Sequence, residues 1–85
     1  MFSIEFSNSA KKFLKKSDPG LVKRLMGRIE ELAKDPFPKD VKRIVNQKDK
    51  VFRIRIGDYR VQYSVFFGIN LIFISDIDKR ERAYQ

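Results

Sequence analysis

Hydrophobic and polar positions change their period several times along the chain, and each period predicts a different element. From Phe2 to Phe6 apolar residues alternate with polar ones, which indicates a short, half-buried strand. Three small polar residues follow, from Ser7 to Ser9, and any of them can cap a helix. Apolar residues then recur at helical spacing, at Ala10, Phe13 and Leu14, between lysines. This segment is predicted to form a first helix of about two turns.

The clearest helical pattern begins at Asp18 and Pro19, an N-cap residue followed by a proline suited to the first turn. One apolar stripe runs along it, formed by Leu21, Val22, Leu25, Met26, Ile29, Leu32 and Ala33. Gly27 interrupts the helix at a cost of about 1 kcal/mol relative to alanine, which predicts the close approach of another element. Two prolines within residues 35–38 require an extended chain and end the helix.

The second half of the chain has the period of a sheet. Residues 42–46 are a candidate strand, and residues 47–50 resemble a loop. Two alternating runs, residues 51–56 and 59–65, then flank Gly57 and Asp58, which is a strong hairpin signal. A loop near residues 67–70 leads to a last strand, residues 71–77, and a polar tail. The order β-α-α-β-β-β predicts an α+β fold, a single domain over residues 1–85 with both helices packed on one face of a small antiparallel sheet.

Composition narrows the chemistry. A chain of 85 residues has room for one small core, so an active site should lie on a surface. The chain contains no cysteine, which excludes disulfides, thiolate zinc ligands and a cysteine nucleophile. It also contains no histidine, so schemes that depend on an imidazole are excluded.

The chain is strongly basic, with 19 Lys+Arg against 11 Asp+Glu and a net charge of +8. Such a charge favours polyanions, with nucleic acid the first candidate, an anionic membrane surface the second, and a solubilising surface the alternative. Lysine dominates the first half and arginine the second, and arginine is the side chain suited to forked contacts with phosphates. Residues 1–13 lack a secretory or transit pattern, and the longest apolar run, residues 65–74, is too short to span a bilayer. We therefore expect a cytoplasmic protein without a membrane partner.

The predicted hairpin separates an apolar face from a basic face. A two-residue loop places Arg55 opposite Arg60 and Arg53 opposite Gln62. Like charges that oppose each other destabilise a strand pair, which favours a phosphate- or RNA-binding surface. The alternative is a wetted sheet face that discourages edge pairing. The tail could bring further basic and aromatic residues to the rim of this face, or could be a solvated extension.

Two segments, residues 52–63 and 79–84, resemble the RelE/ParE superfamily of toxins from toxin–antitoxin systems, and the RelE branch more closely. The resemblance implies an mRNA interferase that enters the ribosomal A site, cuts the mRNA codon there and is silenced by a cognate antitoxin. The catalytic residues implied by this resemblance are Arg53, Arg55, Arg60, Arg80 and Tyr84. The RNA-binding residues are Arg53, Arg55, Arg60, Gln62, Lys79 and Arg82.

The mechanism expected of such an enzyme needs neither a metal nor a cofactor, because the RNA 2′-OH is the nucleophile. Well-studied relatives carry lysines at the pair that is Arg53 and Arg55 here, and a guanidinium cannot act as a general base. Asp76, Asp78 and Glu81 are candidate bases or, alternatively, ion-pair partners of the arginines.

Two other functions remain open from the sequence. The ParE branch shares the fold and inhibits DNA gyrase without catalysis. A plain RNA-binding module would bind with a salt slope of about −3 for four arginines and would cut nothing. For the antitoxin, Phe66, Phe67 and Ile69 together with the lysine-rich helices suit an acidic amphipathic segment, while completion of the core is the alternative use of these apolar residues.

Overall fold

The computed structural model describes residues 1–44 and 50–79. The elements are β1 (Ser3–Phe6), α1 (Asn8–Lys16), α2 (Pro19–Lys34), β2 (Lys42–Ile44), β3 (Val51–Ile56), β4 (Tyr59–Phe66) and β5 (Leu71–Lys79), with a 3-10 turn at Phe67–Ile69. The predicted α+β order is therefore confirmed, and the short β2 adds an edge strand. Part of the candidate strand, residues 45 and 46, lies outside the described residues, as does most of the loop predicted at residues 47–50.

Both helices begin at the predicted capping residues. The Ser7 hydroxyl accepts a hydrogen bond from the Ala10 amide over 3.1 Å, and the Asp18 carboxylate accepts one from the Leu21 amide over 2.9 Å. These bonds satisfy amide groups that have no partner within the first helical turn. Within residues 1–44 and 50–79, neither helix is long and apolar enough to cross a membrane.

The strands form one sheet in the order β1-β5-β4-β3-β2. All neighbours are antiparallel except β1, which runs parallel to β5, so the prediction of a wholly antiparallel sheet was wrong in this respect. The chain between β1 and its neighbour β5 contains both helices and the three other strands. It therefore supplies the long connection that a parallel pair requires.

Both helices pack on one face of the sheet, as predicted, and the core lies between the helices and that face. Its fully buried side chains come from both layers: Ala10, Leu25, Ile29 and Leu32 from the helices, and Ile54, Val61, Tyr63, Ile72 and Ile74 from the sheet. The opposite side of the sheet, which we call the open face, carries the alternate residues of the same strands. The core therefore fixes which side chains the open face presents.

Gly27 does not have the predicted role. A Cβ atom built at this position would have no neighbour from another element within 4 Å among residues 1–44 and 50–79, so none of the described elements approaches it closely. Gly27 instead lines a cavity of about 430 Å³ between α2 and the start of the chain, with Met1 and Ile4 among the other lining residues.

Tyr63 ties the sheet to the segment that follows α2. Its ring is fully buried, and its hydroxyl donates a hydrogen bond to the carbonyl of Pro36, which is itself buried. The pKa of the phenol is raised well above its ordinary value, mainly by burial and to a smaller extent by the carboxylates of Asp35 and Asp40. The phenol therefore remains a hydrogen-bond donor.

We expect Tyr63→Phe to lower the free energy of unfolding by about 1–3 kcal/mol, because a buried carbonyl loses its partner. Tyr59→Phe is the matched control, since no hydrogen bond of the Tyr59 hydroxyl occurs among the described residues. Urea denaturation measures the free energy of unfolding of both variants and of the native chain. Equal losses in the two variants would contradict the role assigned to the Tyr63 hydroxyl.

Candidate nucleic-acid interface

The β3–β4 turn fixes the register of the basic hairpin. Gly57 has a φ of 62°, the left-handed conformation that a glycine adopts without strain. The space beside it is also occupied, because a Cβ atom there would lie 2.7 Å from Nη2 of Arg24. The conformation thus favours glycine, whereas the exposed end of the Arg24 side chain can move aside. The two-residue turn is confirmed.

The predicted cross-strand pairs are confirmed as well. Arg55 is paired with Arg60, and Arg53 with Gln62. All four belong to the open face, because Ile54 and Val61, which alternate with them, are buried against the helices. The structure therefore places two guanidinium groups on directly opposed residues of one uncovered face.

Asp78 offsets part of this repulsion. In the register of β4 with β5, Asp78 is opposite Arg60, so the row across the sheet is Arg55, Arg60, Asp78. Nε and Nη2 of Arg60 donate to the two carboxylate oxygens over 3.1 and 2.9 Å, a bidentate ion pair. Asp78 is thus an ion-pair partner, one of the two roles that the sequence left open for it.

A β-bulge in β5 puts Asp78 in this position. Gln62 pairs with Asp76 while Tyr63 pairs with Ile74, so Ser75 is an extra residue in the ladder. Without it, strict alternation would turn Asp76 and Asp78 towards the core and Ile77 outwards. The Ser7 hydroxyl donates to the Ser75 carbonyl over 2.8 Å, and the Ser75 hydroxyl donates to the Gln62 carbonyl over 3.2 Å. The N-cap of α1 therefore also anchors the bulge.

Sequence reasoning missed one basic residue of the open face. Lys42 of β2 is paired with Arg53, a second pair of directly opposed cations. Together with Asp40, Arg53 and Arg55 it lines a shallow cavity of about 230 Å³. The only available signal was a weak alternation near residue 42, because no recognisable turn links β2 to β3.

Among the remaining candidates that the structure describes, Lys79 is not brought to this cluster. Lys79 is opposite Tyr59 and therefore belongs to the face that the helices cover, although its side chain is exposed. Arg80, Glu81, Arg82 and Tyr84 lie outside the described residues. Asp76 accepts a hydrogen bond of 3.4 Å from the Ser9 hydroxyl, and no ion pair of Asp76 occurs within residues 1–44 and 50–79.

A separate apolar surface lies at the end of the sheet away from the hairpin turn. Phe67 and Ile69 are 63% and 71% exposed, and Phe66 is 47% exposed. The Phe67 ring packs edge-on against Phe2 at a centroid distance of 5.7 Å. These residues therefore lie mainly on the surface, and the interpretation that they complete the core was wrong.

Comparisons with known proteins give one consistent result. Residues 4–84 match the family described as the ParE toxin of type II toxin-antitoxin system, parDE. The chain is 39% identical to the protein named as the toxin RelE1 of Methanocaldococcus jannaschii. The alignment covers 99% of this chain and 96% of that protein. It is similar to RelE in the archaeal RelE–RelB complex from Pyrococcus horikoshii, with a TM-score of 0.82 and 28% identity over 96% of this chain and 98% of that one. The isolated E. coli RelE toxin has the same fold, with a TM-score of 0.84 and 21% identity over 98% of this chain and 88% of that one.

The like-charge pair should make Arg55 costly to the free protein. We expect Arg55→Gln to raise the free energy of unfolding by about 0.2–1 kcal/mol at low salt, because it removes the repulsion with Arg60. Added salt should reduce this gain.

Lys23→Gln on the exposed surface of α2 is the matched control, since it lowers the net charge by the same amount and the residues three and four positions away carry no charge. Denaturation curves at two ionic strengths make the comparison. Equal gains in both variants would mean that net charge, and not the pair, destabilises the protein.

Proposed function

The chain belongs to the RelE/ParE family of toxins from type II toxin–antitoxin systems, and on that premise we propose that it is a ribosome-dependent mRNA endonuclease. The observation that carries the proposal is the row of Arg55 and Arg60 on the open face, with Arg53 beside it. This arrangement is unfavourable for the free protein and becomes favourable when phosphates lie between the cations.

The proposed reaction is attack of the RNA 2′-oxygen on the adjacent phosphorus. The 2′-OH gives up its proton to the ribosomal RNA or to solvent. The bond between its oxygen and phosphorus forms while the bond to the leaving 5′-oxygen breaks, and the 5′-oxygen takes up a proton, so the products are a 2′,3′-cyclic phosphate and a 5′-OH. The protein must align these atoms and stabilise the charge that develops on the phosphoryl oxygens. Fixed guanidinium groups perform the second task without changing their protonation.

Each arginine has a defined part in this scheme. Arg55 and Arg60 bind the scissile phosphate, and Arg53 binds the neighbouring one. Asp78 uses two of the five N–H donors of Arg60, so three remain for a phosphate oxygen. Asp78 thereby orients the guanidinium without preventing its contact with RNA.

The residues after β5 complete the proposed site. Arg80 stabilises the transition state or the leaving oxygen, and Tyr84 stacks on a base or exchanges a proton. Gln62 and Arg82 bind the flanking RNA. Asp78 is occupied by Arg60 and arginine is not a base, so catalysis rests mainly on electrostatic stabilisation together with ribosomal RNA. Free RNA should accordingly be cut slowly.

We also propose a cognate antitoxin as the protein partner. The exposed apolar surface of Phe66, Phe67 and Ile69 suits an amphipathic segment, and the basic α1 suits its acidic residues. The similar P. horikoshii protein was solved as a RelE–RelB complex, which supports a partner of this kind.

The test is cleavage of a translated mRNA in a bacterial extract, with new 5′ ends mapped with and without stalled ribosomes. We expect cuts within A-site codons from the native chain. Arg60→Ala or Arg80→Ala should reduce the cleavage rate by about 10²–10³-fold, the loss typical of one preorganised donor. Lys15→Ala on α1 removes the same charge and should leave the cuts in place.

Other results would identify the competing functions. If the mRNA stays intact and the protein stops DNA gyrase from supercoiling a plasmid in a separate assay, the protein is a gyrase inhibitor. RNA binding without cleavage or either form of inhibition would indicate a binding module. Full cleavage by Arg60→Ala would contradict the site.

A further inference from the structure

The open face has a distinct charge boundary. Its cations lie on three adjacent strands, with Lys42 on β2, Arg53 and Arg55 on β3, and Arg60 on β4. The next strand, β5, contributes carboxylates instead, with Asp76 opposite Gln62 and Asp78 opposite Arg60. The cations of this face therefore extend from β4 to the β2 edge, and the Asp78 carboxylate of β5 is paired with Arg60, so a polyanion can follow the cations towards that edge.

Lys42 lies where that path reaches the edge of the sheet. It is exposed, it is opposite Arg53, and it shares the cavity of about 230 Å³ with Arg53 and Arg55. Two opposed cations beside an open cavity repeat the arrangement of Arg55 and Arg60 one row away. Directly opposed cations destabilise a strand pair, and an anion bound between them would stabilise it.

The carboxylate in this cavity is already engaged. Asp40 accepts a hydrogen bond of 2.7 Å from Nη2 of Arg28, and Arg28 also binds Glu31 over 3.2 Å. Arg28 offsets the negative charge of Asp40, and Lys42 and Arg55 contribute positive charge to the same cavity. The cavity therefore remains attractive to an anion.

The Lys42–Arg53 pair lies one strand spacing, about 4.8 Å, and two residues, about 7 Å, from the Arg55–Arg60 pair, so the midpoints of the two pairs are about 8 Å apart. We propose that Lys42 is a phosphate-binding residue that forms, with Arg53, a second phosphate subsite beside that of Arg55 and Arg60. This inference rests on the proposed function, and it means that the bound RNA strand continues across the sheet towards the β2 edge.

The test measures the affinity of the folded protein for a fully 2′-O-methylated RNA oligonucleotide, which cannot be cut, at several salt concentrations. Lys42→Gln should reduce the steepness of the salt dependence by about 0.7, the value for one phosphate contact on a single strand. Arg43→Gln is the matched control. Arg43 is the next residue of β2, is equally exposed and is opposite Phe52, so it belongs to the other face. It should change the slope much less.

A shorter probe separates the two subsites. With a dinucleoside monophosphate, which has a single phosphate, the difference between Lys42→Gln and Arg43→Gln should disappear. Equal slopes for the two variants on the long oligonucleotide would overturn the Lys42 subsite, even if the native chain cuts mRNA. A specific loss in Lys42→Gln, found with a native chain that leaves mRNA intact, would support the subsite and overturn the nuclease.

Discussion

Arg55 and Arg60 are directly opposed on the open face of the sheet, and the rest of the structure makes this possible. Ile54 precedes Arg55 and Val61 follows Arg60. Both are buried and fix the face, and the turn at Gly57 fixes the register. Buried strand residues and glycine turns of this kind are common, since they form the core and reverse the chain. Together they place like charges on directly opposed residues, and a phosphate is the natural counterion for such a pair.

The Asp78 carboxylate reduces the repulsion between Arg55 and Arg60 in the free protein. A partly buried surface ion pair of this kind contributes little stability, about 0–1 kcal/mol, so Asp78 offsets the repulsion without removing the affinity of Arg60 for a second anion. Its position depends on the bulge at Ser75, and the bulge is anchored by the residue that caps α1. The helical layer therefore influences the open face although it packs on the opposite side of the sheet.

Sequence alone predicted the features that local rules determine. A two-residue turn with an alternating pattern on each side fixes which residues oppose each other, so the Arg55–Arg60 pair followed directly. The partnership of Asp78 with Arg60 depends on one extra residue in β5, and alternation cannot show it, although the spacing of the buried Ile72, Ile74 and Ile77 contained the signal. The parallel direction of β1 and the position of Lys42 depend on pairing between distant segments, which no local pattern encodes.

The central claim is that a polyanion binds the open face, and the lysines of α1 provide the rival basic surface. Nuclear magnetic resonance of the ¹⁵N-labelled chain, with backbone amide and arginine Nε signals followed as the methylated oligonucleotide is added, compares the two surfaces directly. We predict the largest shifts at Arg55 and Arg60 and small shifts at Lys11, Lys12 and Lys15. The largest shifts on α1, with Arg60 unchanged, would contradict the account.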